Sequence, residues 1–204
     1  MSPLAPGETI VGLRLRSGLA GRVLGLPASE LRDARLSLED VWSRPGAELA
    51  ERVGVAETPE GRRQTLEQAV RARLARVPDA DTLVLEAVRR LGRPGTRVGT
   101  LSEALGTSER QLLRRFNAAI GYGPKTLDRV LRFQRFLSLA PALAAGDEAL
   151  ARVAADLGYA DQAHLTRDCA QLSGLTPTRL VASQADWAAQ AAVFTTRRPG
   201  TRPK

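Results

Sequence analysis

The chain has 204 residues, of which 43% are hydrophobic and 25% charged, and its formal net charge is +8. That length supports one or two small domains with a real core, and the composition is ordinary for a soluble globular protein. A single cysteine, Cys169, excludes an internal disulfide framework and a cysteine-based zinc site, and a single histidine, His164, leaves little for conventional metal or acid–base chemistry.

No window approaches the ~20 apolar residues of a membrane span, and the N-terminus lacks a basic start followed by an apolar run. These features predict no membrane association and a reduced, cytoplasmic setting. Of the 30 basic residues, all but Lys125 and Lys204 are arginines. Genomic base composition can produce such a bias, so the placement of the charge is more telling than its total. Residues 98–140 hold seven basic residues against three acidic, whereas residues 141–181 hold three against five. A basic segment inside a folded helical region points to a polyanionic partner.

In chain order, residues 8–16 (ETIVGLRLR) alternate as a short strand, and Val23-Leu24 is the nearest candidate to pair with it. Helical stretches are expected around Ser29–Asp33, around Leu38–Trp42 and from Gly46 to Val53. Thr58-Pro59 is a good helix start, followed by an apolar stripe at Leu66, Val70, Leu74 and Val77. Residues 1–78 thus form a small, mostly helical N-terminal region. From Asp81 the period is cleaner, with Leu83, Val84, Ala87, Val88 and Leu91 marking a helix. A short helix around Val98–Leu105 stops at Gly106. Ser108 and Gln111 then have capping-box spacing, with Leu112, Phe116 and Ile120 inward. Pro124 opens a long amphipathic helix to about Ala140, roughly 25 Å in length. Asp147 and Asp161 are expected to cap two further helices, and Thr176-Pro177 starts a last one reaching about Gln190. Residues 184–204 end in a basic tail without an apolar face, expected to be disordered.

Two segments share one plan. LSEALGTSERQLLRRFNAAIGYGPKTL starts at Leu101 and VAADLGYADQAHLTRDCAQLSGLTPTRL at Val153. Gly106 and Gly158 correspond at a separation of 52, and Gly121 and Gly174, Pro124 and Pro177, and Leu127 and Leu180 at 53. Each copy reads helix, glycine, tight turn, helix, glycine, proline, helix, which is the spacing of a helix-turn-helix. These segments resemble the DNA-binding domain of AraC-type transcriptional regulators over about residues 81–183. The most specific stretch runs from Gly158-Tyr159 through Ala163-His164-Leu165-Thr166-Arg167 to Gly174-Leu175-Thr176-Pro177.

The resemblance implies a mainly α fold. Two helix-turn-helix subdomains joined by a linker helix would occupy residues 79–183, preceded by the helical N-terminal region with its one short strand. It also implies a bacterial regulator that binds double-stranded promoter DNA and acts through RNA polymerase, with neither catalysis nor a cofactor. The stretch GLRLRSGLAGRVLGLPASELRDARLSLEDVW is similar to the end of an effector domain found before such modules. Only the last strand of the β-rich part of that domain is expected here, which counts against a small-molecule effector.

The recognition helices would be about 108–120 and 161–173, entering adjacent major grooves. Arg110, Gln111, Arg114 and Asn117 project outward in the first. The resemblance places base-reading side chains at Arg110, Leu113 and Arg114; arginine pairs bidentately with guanine, and Gln111 could pair with adenine. Arg115 is expected to reach phosphate, and the free N–H groups after Ser108 could hold another. The matching positions of the second copy are Gln162, Ala163, Thr166 and Arg167. Asp168 stands where a basic or neutral residue would serve better, so this unit should bind DNA more weakly. Cys169 replaces Phe116 and should loosen the local core unless Leu165 or Leu172 shifts. Lys125, Thr178 and Arg179, at helix starts, are candidates for backbone phosphate.

His164 and Cys169 lie ~140° apart around a helix and cannot form a nucleophile–base pair. GYGPKT at 121–126 has proline where a phosphate loop needs glycine, so it is a helix stop and start. Trp42 and Trp187 are expected to pack in cores. The alternative to DNA binding is a non-catalytic protein-interaction paralogue that keeps the fold and pairs with another regulator.

Overall fold

The computed structural model describes residues 10–93, 95–140, 143 and 147–183, and every regular element among them is a helix. The first four are α1 (Ala20–Leu24), α2 (Leu38–Trp42), α3 (Arg44–Val55) and α4 (Pro59–Leu74). Ser37 and Asp40 form a capping box at α2, and the Thr58 hydroxyl accepts from the Gly61 N–H at 3.0 Å at the start of α4. Val23, Trp42 and Leu49 form the core of this region, with Leu66, Val70 and Leu74 packed against it. The Trp42 indole donates to the Val23 carbonyl at 3.1 Å, and the Arg73 guanidinium lies over the ring 5.2 Å from its centre. Trp42 is thus a packing residue. α2 and α3 meet so closely that a Cβ at Gly46 would fall 1.8 Å from the Leu38 carbonyl oxygen.

Two local expectations for this region are corrected. Residues 10–16, the described part of the strand expected at 8–16, form no ladder. The nearest candidate partner, Val23-Leu24, is helical in α1, where Val23 is 1% exposed in the core. Without a second strand the backbone has no ladder to join. The helix expected around Ser29–Asp33 is a run of turns, in which the Glu30 and Leu31 N–H groups donate to the Pro27 and Ala28 carbonyls at 2.9 and 3.2 Å. Asp33, at φ +58, lies outside helical space and ends the run.

α5 (Thr82–Leu91) follows, capped by Asp81, whose carboxylate accepts from the Leu83 and Val84 N–H groups at 3.0 and 3.3 Å. A 3-10 turn at Val98–Thr100 runs into α6 (Leu101–Ala104), and after a tight turn comes α7 (Glu109–Ile120). Val84, Ala87, Leu91, Leu101, Leu112, Phe116 and Leu127 make one core. Leu127 belongs to α8 (Pro124–Leu139), which also gives Phe136 to a second core with Leu150, Val153, Ala154, Tyr159, Leu165, Cys169 and Leu180. That second core is built by α9 (Asp147–Asp156), α10 (Gln162–Ser173) and α11, a helix over residues 177–183. The expected tail, Trp187 and the Asp147 side chain lie outside the described residues.

The corresponding glycines of the sequence repeat share a backbone conformation. Gly106 and Gly158 have φ +61 and +79, and Gly121 and Gly174 have φ +93 and +75. Only Gly121 is also crowded: a Cβ there would lie 2.6 Å from the Ala28 carbonyl oxygen. The Ala28 N–H donates in turn to the Ala118 carbonyl at 2.8 Å, and α1 packs on α7. The N-terminal region is therefore seated on α7, the longer helix of the first repeat.

Candidate nucleic-acid interface

Two buried side chains fix the rotation of α7. Leu112 is 4% exposed and Phe116 0%. Arg110, Leu113, Arg114 and Asn117 then fall at i, i+3, i+4 and i+7 on the opposite face, and all four are exposed. With Gln111, Pro27 and Ser29 they line an open groove of about 790 Å³ that no carboxylate enters. Neither Arg110 nor Arg114 forms an ion pair among the described residues. Arg110 and Leu113 also share a second cleft, of about 680 Å³, with Lys125 and Thr126 at the start of α8. The fold thus brings Arg110, Gln111, Leu113, Arg114 and Lys125 to one side of the first unit.

Ser108 caps α7 as its sequence suggests, accepting from the Gln111 N–H at 3.2 Å. The reciprocal half of the expected box is not made, because the Gln111 side-chain oxygen accepts from the Thr107 hydroxyl at 2.9 Å. Arg115 is exposed, and its guanidinium lies 3.3 Å from the Asp81 carboxylate, a surface pair between α7 and the cap of α5. The residues sit 34 positions apart, and no sequence period links them.

In α10, Leu165 and Cys169 are both 0% exposed and set the rotation. Ala163, Thr166, Arg167 and Ala170 occupy the positions that correspond to 110, 113, 114 and 117. Ala163 and Arg167 are exposed, while Gln162 and Thr166 are half-buried. The Thr166 hydroxyl donates to the Gln162 carbonyl at 2.9 Å. Asp161 caps the helix as expected, accepting from the His164 N–H at 2.6 Å. Thr178 and Arg179 are exposed at the start of α11. The outward face of α10 therefore carries one guanidinium where that of α7 carries two.

Asp168 also differs from the sequence reading. It is 3% exposed and turned into the unit, where it accepts from Arg129 of α8 at 3.0 Å. Its negative charge does not face the helix surface that Arg167 occupies. Arg132, one turn further along α8, pairs with Asp128 at 3.2 Å, donates to the Gly158 carbonyl at 3.2 Å and lies 4.9 Å from the centre of the Tyr159 ring. Arg129 and Arg132 together clamp α10 and its preceding turn to the linker helix. Sequence reasoning missed both. The only local signal was the i, i+4 spacing of Asp128 and Arg132, while the Arg129–Asp168 pair spans 39 positions.

Cys169 takes the place of Phe116 and is fully buried in one core with Tyr159 and Phe136. Burial, and then the Asp168 charge, pushes its thiol up to about 12. A protonated, enclosed thiol is a poor nucleophile. Among the described residues no group of three His, Cys, Asp or Glu side chains could hold a metal ion, and no helix is long and apolar enough to cross a membrane.

Residues 101–183 match the family model of a helix-turn-helix domain, a stretch that takes in α6 to α11 and amounts to less than half of the chain. No curated protein and no solved structure matches the chain. Over residues 101–183 the chain is thus similar to a helix-turn-helix domain, a kind of domain that binds DNA in transcription regulation.

Proposed function

We propose that this chain is a sequence-specific regulator of transcription. It grips double-stranded promoter DNA with two helix-turn-helix units over residues 79–183, α8 setting their spacing. α7 and α10 enter adjacent major grooves, with Arg110 and Arg114 as the principal guanine readers and Gln111 and Leu113 beside them. Ala163, Thr166 and Arg167, with Gln162, read the second half-site more weakly. Ser108, Arg115, Lys125, Thr178 and Arg179 hold phosphates and fix the register. Recruitment or obstruction of RNA polymerase then follows from where the site lies in a promoter.

The observation that carries this reading is the outer face of α7. Two exposed arginines without acidic partners stand beside amide side chains along a groove free of carboxylates, within the segment that matches a helix-turn-helix domain. The reading of the fold as a protein-interaction module drew on the reduced β-rich part and on the acidity of the second unit, of which Asp168 is taken up by Arg129 inside the unit.

The test is selection of duplexes from a random pool, followed by anisotropy titration of a labelled winner across a range of salt. A shared motif, and affinity that falls steeply as salt rises, are expected. No detectable binding even at low salt would reject the proposal in favour of a protein partner.

A further inference from the structure

The cleft between the end of α5 and the start of α6 is ringed by Arg89, Arg90, Arg93 and Arg97, with Thr96 and Thr100, and no carboxylate lines it. Two of these arginines are already engaged. Arg89 and Arg90 both donate to Glu86, at 2.6 and 2.8 Å, and they hold its carboxyl down at about 2. Arg93 and Arg97 are exposed and form no ion pair among the described residues. The Thr96 hydroxyl donates to the Arg90 carbonyl at 2.7 Å, and the Thr100 hydroxyl to the Arg97 carbonyl at 3.2 Å. The end of a helix favours cations near its last carbonyls, which accounts for Arg89 and Arg90. It does not account for Arg97, which sits across the cleft at the entry to the next helix.

That next helix decides what the cleft faces. In a helix-turn-helix the second helix enters the groove while the first crosses the sugar-phosphate backbone. Here the first is α6, and its N-cap Thr100, its first residue Leu101 and its last residue Ala104 line the same cleft as Arg93 and Arg97. We propose that Arg93 and Arg97 form a phosphate clamp. It holds the DNA backbone beside the first unit, outside the groove that α7 reads. The clamp rests on the DNA-binding reading above. It contributes affinity and register without sequence information, because phosphates are alike at every step.

The experiment uses the full chain and a duplex selected by the wild-type protein. Binding of wild type, of Arg93→Ala with Arg97→Ala, and of Arg93→Lys with Arg97→Lys is titrated between about 50 and about 200 mM salt. A second double variant, Arg52→Ala with Arg76→Ala, removes the same charge from exposed positions of the N-terminal region. The alanine pair at the clamp should lower the slope of log affinity against log salt by about 1.8, and weaken binding roughly sixty-fold at about 0.1 M salt. The ratio of specific to random-duplex affinity should stay unchanged. The lysine pair should keep most of the slope, and so should the remote pair. An unchanged slope in the alanine pair overturns the clamp while leaving DNA binding intact. An equal drop in the remote pair overturns it too, because the effect is then net charge alone. A change in base preference overturns it in favour of base contact. If the wild-type chain binds no duplex, the DNA-binding reading fails and the clamp falls with it.

Discussion

Arg129→Ala is expected to destabilise the second unit through the group it leaves behind. The Arg129 guanidinium lies 2.9 Å from the Asp168 carboxylate, whose side chain is 5% exposed, and the other carboxylate oxygen has no hydrogen-bond partner. Removing one member of a buried ion pair costs ~3–5 kcal/mol, because the remaining charge stays desolvated. The Arg129 side chain is 34% exposed, so water screens the pair and enters more readily once the side chain is cut back. A loss of about 2 kcal/mol is the result. In urea unfolding followed by helical circular dichroism, with a slope of about 2–3 kcal/mol/M, the midpoint should fall by about 0.7–1 M. Adding Asp168→Asn to Arg129→Ala removes the stranded charge and should recover more than half of that loss. A single-variant midpoint corresponding to less than about 0.5 kcal/mol, within the ordinary range for a surface change, would refute the reasoning. So would a double variant no more stable than Arg129→Ala.

Three further outcomes are expected. Arg114→Ala should weaken specific DNA binding by about 1–3 kcal/mol and relax one base position, and Arg167→Ala should cost less; equal losses in a competition titration would contradict the asymmetry between α7 and α10. Gly121→Ala and Gly174→Ala both meet positive φ, a penalty of about 1–2 kcal/mol. Only Gly121 also has a carbonyl oxygen 2.6 Å from the new Cβ, so its variant should show the larger fall in melting temperature. Finally, Cys169 should resist alkylation at pH 8 in the folded protein and react at once in denaturant. Its folded-state pKa, about 12, lies above that of an unfolded thiol. The unfolded chain therefore gives up this proton first, and the contribution of the thiol to stability is lost as pH rises from about 8.5 towards 12. A titration of stability showing no such decline would place the thiol in water.

The helices of the repeat were legible because each is punctuated in the chain. Ser108 and Asp161 cap where the sequence puts caps, Gly121 and Gly174 stop α7 and α10 in left-handed conformation, and Leu112 and Phe116 recur at helical spacing into the core. The N-terminal region was less legible. Alternation at residues 8–16 reads as a strand, yet a strand is specified by its partner, and the candidate partner belongs to a helix. Of the candidate site, the outward face of α7 could be read from the period alone. The partners of Arg115 and Asp168 could not, because ion pairs between different helices leave no mark on spacing.

The sequence by itself therefore determined the duplicated plan and which side chains α7 and α10 turn outward, since caps, glycines and apolar period act within a few residues. Only the tertiary structure decided which charges remain free on those faces. It buried Asp168 against Arg129, paired Arg115 with Asp81 at the surface, and left Arg110 and Arg114 open beside the turn at Pro27 and Ser29. The physical reason is range: a helix is written in contacts three and four residues apart, whereas the electrostatics of a surface depend on groups that meet only when the chain has folded.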